Sequence, residues 1–209
     1  AHLWAAGVPW GDDLAPVAAC RRGELAVLAH QLDTGLGCVQ TSSMGRLFDA
    51  VSALAGVRQV AEYEAEAAIE LEGLAHRALS GTRLGDGCGS PAYRFELRAG
   101  GTNEPTVADA APVIRAVVDD VRTGVHTGVI AARFHAAVAD LTVLSAVAAR
   151  AETGLDTVVL GGGVFQNALL LSSARRQLTR AGFTVLAPHR LPPNDGGIAL
   201  GQMLVASAT

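Results

Sequence analysis

Apolar residues recur at helical spacing along most of this chain, and they run together or alternate over only a few short stretches. Leu47, Phe48, Val51 and Leu54 share one face of a helix expected over Gly45–Ala55, with Ser42 or Ser43 to cap it and Gly56 to end it. Ala61–Ser80 reads as a second helix, with glutamates early and arginine late, the order the helix dipole favours. Ala111–Arg122 is a third, with Pro112 at a permitted first-turn position. Thr127–Arg150 is a long helix, apolar enough to be buried on several sides. Shorter helices are expected over Ala1–Ala6 and over Pro16–His30, the latter interrupted at Gly23. Thr34–Thr41 and Gly81–Pro91 read as loops. Tyr93–Leu97 alternates as a strand does, and Thr106–Ala108 is its expected hairpin partner across the Gly100–Asn103 turn.

The C-terminal stretch changes character. Thr157–Leu160 is a β-branched apolar run, followed by Gly161-Gly162-Gly163 and a helix from Asn167 to about Arg180. Thr184–Leu186 repeats the pattern, with Asp195 and two glycines before a helix from Ile198 onward. Glycines between a strand and a helix let backbone approach a ligand closely, and their N–H groups favour a phosphate. The same glycines also serve simple helix-on-strand packing, and the spacing matches neither GxGxxG nor a P-loop. Asp195 reads as a metal or polar-ligand contact beside that turn, or as a plain N-cap before Gly196.

Composition narrows the classes. At 209 residues and half apolar, the chain is one large or two small domains with a sizeable core. A net charge of -4 argues against a broad nucleic-acid surface. All basic residues are arginine, which excludes a Walker-type or Schiff-base lysine. Cys20, Cys38 and Cys88 form no CxxC or zinc spacing, in keeping with a reducing cytoplasm, and Cys38 reads as a buried small hydrophobe. No signal peptide is visible, and the uncharged apolar run Leu141–Ala149 is too short to span a bilayer. The chain begins at Ala1 already in helix, which reads as a piece of a longer polypeptide.

A second polar cluster, Thr41 to Asp49, puts hydroxyls and a glycine ahead of a helix. It suits phosphate and ribose contacts, and equally a capped helix with Arg46 and Asp49 paired at i, i+3. His135 reads as a core histidine, and Glu62, Glu64, Glu66, Glu70 and Glu72 as a solvated face. No two histidines have the helical spacing of a metal-binding pair.

Five strings, TSSMGRLFDAV, EYEAEAAIELE, ARFHAAVADL, GGGVFQNALLL and PPNDGGIALGQ, stand in the order found in the C-terminal region of HypF-type carbamoyltransferases. The chain resembles that family over nearly its whole length. The resemblance implies an α/β fold of the ASKHA (actin/Hsp70/sugar-kinase, RNase H-like) class, TsaD-like, with helical insertions. Residues 1–90 would be mainly helical and 91–209 the α/β nucleotide-binding core. It implies carbamoyl transfer from carbamoyl adenylate, made from ATP by an upstream YrdC-like domain, to the C-terminal cysteine thiol of a HypE-type acceptor during [NiFe]-hydrogenase maturation. By motif, Asp195 is implied as a ligand of a divalent metal, Asn167 as a nucleotide contact, Gly162 and Gly163 as the phosphate turn, and Asp49 as a ribose contact, with Ser42 and Ser43 lining the site. No membrane or nucleic-acid partner is implied, and the location is cytoplasmic.

Two departures qualify this. The family's HHxAH-type metal helix is absent, so the remaining metal ligands are expected outside this chain. The family's Tyr-Glu-Gly-Gln-Ala is here Tyr63-Glu64-Ala65-Glu66-Ala67, which alters the backbone freedom and charge at Ala65 and Glu66. An ASKHA nucleotide-binding domain acting on another acceptor, a small-molecule hydroxyl or tRNA, remains open. So does a structural fragment inactive by itself.

Overall fold

In the computed structural model, residues 1–81, 93–101, 104–188 and 190–208 are described. They form two compact units, Ala1–Ala137 and Val138–Thr209, with the boundary inside one long helix.

The first unit is built from α1 (His2–Ala5), α2 (Ala15–Ala18), α3 (Arg22–Thr34), α4 (Met44–Leu54), α5 (Glu66–Gly81), β1 (Glu96–Arg98), β2 (Val107–Asp109), α6 (Ala111–Arg122) and the start of α7 (Thr127–Thr153). α4 packs on α5 and α6, α2 on α4, and α1 on α6. The predicted apolar face of α4 is buried in full: Leu47, Phe48, Val51 and Leu54. Each such side chain contributes about 1.5–3 kcal/mol. Phe48 meets the edge of Phe134 from α7 at 4.8 Å between ring centroids. α6 buries Val113, Ile114, Val117 and Val118, the i, i+1, i+4, i+5 stripe of a helix lying on a core. Beneath it Asp120 accepts from the Tyr93 hydroxyl and from Arg133 on α7. β1 and β2 pair antiparallel, Leu97 opposite Ala108, so the hairpin forms as expected, with Tyr93–Phe95 leading into it rather than in the strand. Thr102 and Asn103 of its turn, the predicted 82–91 loop and Cys88 lie outside the described residues.

Several boundaries differ from expectation. Gly23 does not interrupt a helix; it sits in the first turn of α3, and the break falls at Ala19–Arg21. The Arg21 backbone N–H donates to Glu24 at 3.0 Å, which starts α3 there. α5 begins at Glu66, not Ala61. Ala65 adopts φ 63, in the left-handed region, and breaks the helix that the favourable propensities of Ala61 to Ala65 suggest. Glu66 is not on a solvated face: it is 5% exposed. Its carboxylate pairs with Arg58 at 3.1 Å and accepts the Glu62 backbone N–H at 2.6 Å. Arg58 also holds Glu70. Cys38 is exposed, not a buried hydrophobe; Gly35 and Gly37, both at positive φ, turn its loop outward from the end of α3.

The second unit contains the rest of α7, β3 (Thr157–Val159), α8 (Ala168–Arg180), β4 (Thr184–Leu186) and α9 (Ile198–Ala208). β3 and β4 are parallel, with Val158 opposite Val185. α8 joins them and buries Leu170, Ala174 and Leu178 at i, i+4, i+8. The Arg150 guanidinium lies 4.0 Å over the Phe183 ring and donates to the Ala181 carbonyl, fixing the turn into β4. α7 is long and apolar enough to cross a membrane by length and composition. Ile130, Ala131, Phe134, Ala137, Val138, Ala139 and Leu141 in its first half are buried within the protein, as in a core helix, whereas Leu144 and Val147 in its second half are exposed, so the expected burial on several sides holds only for the first half. Among the described residues the chain is thus largely helical, with two small two-stranded sheets.

Candidate functional site

The second unit brings its two glycine turns together. Both follow the carboxyl ends of parallel strands, where open α/β sheets bind ligands. After β3 the chain runs through Gly161 and Gly162 into a 3₁₀ turn, Gly163–Gln166. After β4 it runs through Pro192 and Pro193 into a second 3₁₀ turn, Asp195–Gly197. The Gly162 N–H donates to the Pro193 carbonyl at 2.6 Å, tying one loop to the other. That donor is therefore engaged, and Gly162 serves the turn through its conformation, φ 93, which a residue with a Cβ adopts only under strain.

Gly161 and Gly163 are a different case. Neither has a left-handed φ. A Cβ on Gly161 would meet nothing within 4 Å among the described residues, and one on Gly163 would touch only the Asn194 Cβ at 3.9 Å. Helix-on-strand packing therefore does not account for these glycines. An exposed turn without side chains, at the carboxyl end of a parallel strand, leaves room for a ligand to approach backbone.

Asn167 is the N-cap of α8; its side-chain oxygen accepts the Leu170 N–H at 2.8 Å. A cap function thus accompanies any ligand contact there. Asp195 is exposed on the first residue of its 3₁₀ turn and is not the cap. Asn194 takes that role, accepting the Gly196 N–H at 3.1 Å. Among the described residues no three His, Cys, Asp or Glu side chains are grouped to hold a metal. The described chain does not make a metal site, and Asp195 supplies at most one ligand.

Ser42, Ser43 and Asp49 belong to the first unit. The Ser43 hydroxyl accepts the Arg46 N–H at 3.3 Å and caps α4, while Ser42 is exposed. Asp49 pairs with Arg46 at 3.0 Å, the i, i+3 pairing foreseen as its plain structural role. His135, 2% exposed, holds the Ala131 carbonyl at 2.8 Å through Nδ1 and meets the edge of Phe48. Burial lowers its pKa below the usual imidazole value. The features that sequence reading missed are the Gly162–Pro193 tie, the Asn194 cap and the Arg58–Glu66–Glu70 cluster. Only Asn194 had a local signal, an Asx residue two before a glycine.

A family model described as "Carbamoyltransferase, Kae1-like Domain, second subdomain" matches residues 1–202. The chain belongs to the HypF carbamoyltransferase family. It is 36% identical to carbamoyltransferase HypF2 of Cupriavidus necator, over 97% of this chain and 28% of the relative. It is likewise 36% identical to carbamoyltransferase HypF of Synechocystis sp., over 78% of this chain and 19% of the relative. A crystal structure of full-length HypF in a phosphate- and nucleotide-bound form superposes with a TM-score of 0.78 at 36% identity, over 91% of this chain and 24% of that one. The chain thus spans 19–28% of the length of these HypF proteins, and its fold is that of a Kae1-like subdomain.

Proposed function

We propose that this chain is the part of a HypF carbamoyltransferase that holds the phosphate and nucleotide side of carbamoyl adenylate while the carbamoyl group is transferred. The observation that carries this reading is the pairing of two glycine-bearing loops at the carboxyl ends of β3 and β4, one of them with glycines that neither conformation nor packing requires. The solved HypF relative with phosphate and nucleotide bound supports it. In this reading the surrounding domain is of the ASKHA class, Gly162 and Gly163 shape the phosphate turn, and Asn167 contacts nucleotide. Ser42, Ser43 and Asp49 are candidate ribose contacts by motif, and Asp195 is one ligand of a metal completed by another segment.

The acceptor is the C-terminal cysteine thiolate of a HypE-type protein. Its sulfur attacks the carbamoyl carbon, a C–S bond forms, the C–O bond to the phosphate breaks, and AMP leaves with the electron pair. The nucleophile comes from the partner, so this chain needs none. Its contribution is to orient the mixed anhydride and to place backbone N–H groups near developing negative charge. The product would feed cyanide-ligand synthesis for [NiFe]-hydrogenase in the cytoplasm. An upstream YrdC-like domain would supply carbamoyl adenylate from ATP.

Gly163→Ala tests this. Its new methyl makes only an ordinary contact, so the fold should stay within about 0.5 kcal/mol of the parent. Binding of ATP or AMP, read by calorimetry, should fall roughly tenfold, as a methyl in a backbone–phosphate contact demands. Equal nucleotide binding by the two proteins would remove the phosphate-turn reading. The isolated chain should bind adenine nucleotide weakly and transfer no carbamoyl group; robust transfer by these 209 residues alone would contradict that.

A further inference from the structure

We propose that Arg190 is the cation that binds the nucleotide phosphate at the paired glycine turns, and so makes this site prefer a nucleotide over its nucleoside. The proposal rests on the phosphate-turn reading above and adds a full charge to it. Backbone N–H groups offer a phosphate only partial charges, and one of them, on Gly162, is already engaged by the Pro193 carbonyl. The chain has no lysine, so a permanently charged cationic side chain must be arginine.

The second unit contains Arg150, Arg175, Arg176, Arg180 and Arg190. Arg150 is engaged with the Phe183 ring and the Ala181 carbonyl, in the turn before β4. Arg175 stands eight residues beyond the Asn167 cap, about 12 Å up α8 from the first glycine turn, and Arg176 and Arg180 lie further on. Arg190 is the one of these that sits on a loop leading into a glycine turn, between β4 and Asp195.

The loop holds Arg190 beside that turn. A Cβ on Gly196 would stand 3.1 Å from the Pro192 Cγ, and one on Gly197 would stand 3.2 Å from the Pro192 carbonyl oxygen, so Pro192 is packed against the Asp195–Gly197 turn. Pro192 and Pro193 have a fixed φ, and Pro193 is tied to Gly162. Arg190 is two residues before Pro192, which keeps their Cα atoms within about 8 Å of each other. Its charge is also uncommitted. Among the described residues Arg190 makes no ion pair, not even with Asp195 on the same loop, whereas Arg46, Arg58, Arg98, Arg122 and Arg133 each hold a carboxylate. A loop that keeps an exposed guanidinium and an exposed carboxylate apart offers one to an anion and the other to a cation. The guanidinium fork suits two phosphate oxygens. When AMP leaves with the electron pair of the broken C–O bond, the same contact stabilises the leaving group.

The test uses a full-length HypF protein carrying this chain, photolabelled with azidoadenosine, a probe without phosphate. Label is counted only on peptides that mass spectrometry maps to this chain, so nucleotide held by other domains does not enter. AMP and adenosine are the competitors. In the parent, AMP should compete at a roughly tenfold lower concentration than adenosine. Arg190→Gln should raise the AMP concentration needed roughly tenfold and leave that of adenosine unchanged. Arg190→Lys keeps the charge without the fork and should fall between the two. Arg175→Gln, on α8, is the control and should match the parent. Unchanged competition by AMP in Arg190→Gln would overturn the proposal. So would an equal loss for AMP and adenosine, which would make Arg190 a support of the loop and not a phosphate contact. Failure of the phosphate-turn reading looks different: Gly163→Ala would then leave competition by AMP unchanged while Arg190→Gln still weakened it.

Discussion

Ala65 is the point at which conformation and sequence disagree, and the disagreement has a measurable size. Its φ of 63 lies in the left-handed region, where a Cβ crowds the following carbonyl and costs about 1–2 kcal/mol. Ala65→Gly should relieve that cost. Against it stands the greater freedom of glycine in the unfolded chain, about 0.4–1 kcal/mol. Ala65 is exposed, so loss of its methyl removes little buried area. The balance is a stabilisation of about 0.5–1 kcal/mol. With a urea dependence of about 2 kcal/mol per molar, the unfolding midpoint rises by roughly 0.4 M. Both tryptophans, Trp4 and Trp10, lie in the first unit, so their fluorescence reports the unit that contains Ala65. Ala61→Gly, at an exposed residue without positive φ, is the control and should lower the midpoint. An Ala65→Gly midpoint equal to or below the parent's, at an unchanged slope, would refute the strain argument.

Glu66→Ala should lower the same midpoint more than Glu64→Ala does, because Glu66 is buried between Arg58 and the Glu62 N–H whereas Glu64 is exposed; equal effects would deny the cluster a structural role. Burial holds the folded pKa of His135 below its ordinary 6.5, so near and below that pH the unfolded chain takes up a proton that the native state does not. The contribution is complete above that pH and is lost as pH falls below it, by at most about 1.4 kcal/mol per pH unit. Half-buried His2, lowered by desolvation and then by the amino terminus, acts with the same sign. His135→Gln should therefore flatten the fall in stability between pH 7.5 and 5.5, a flattening that denaturation at the two pH values would detect or exclude. In a full-length HypF protein carrying this chain, Asp195→Ala should lower bound metal, read by elemental analysis, with circular dichroism unchanged; undiminished metal would return Asp195 to an ordinary exposed turn residue.

What could be read in advance was what local periodicity determines. α4, α6 and α8 fell within a residue or so of expectation, because each has an apolar stripe and a terminal signal of its own: Ser43 for α4, Pro112 for α6, Asn167 for α8. The start of α5 is hidden because Ala61, Glu62, Glu64 and Ala65 are good helix formers, whereas Ala65 takes a left-handed φ and Glu66 directly after it is held by Arg58 and the Glu62 N–H. The burial of Glu66 is equally hidden: a glutamate in an acidic run gives no sign that an arginine eight residues earlier will pair with it. The two glycine turns were visible as a pair of similar patterns. Their mutual contact through Gly162 and Pro193 depends on β3 and β4 being neighbours, which strand composition alone does not specify.

Glycine thus carries two kinds of information in this chain, and they separate cleanly. At residue 65 the conformation that favours glycine persists although the residue is alanine, so the demand comes from the fold, where Arg58 and Glu66 fix the helix start. At Gly161 and Gly163 the residue is glycine although φ is ordinary and a Cβ would meet open space or a single van der Waals contact among the described residues. A fold that does not ask for glycine leaves the demand to something that approaches from outside. Phosphate is the chemistry that an exposed, side-chain-free turn at the carboxyl end of a parallel strand suits best. The contrast also predicts the pattern of substitutions: Ala65→Gly should change stability and spare nucleotide binding, whereas Gly163→Ala should change binding and spare stability. The reverse outcome at either position would mean that the two demands had been assigned the wrong way round.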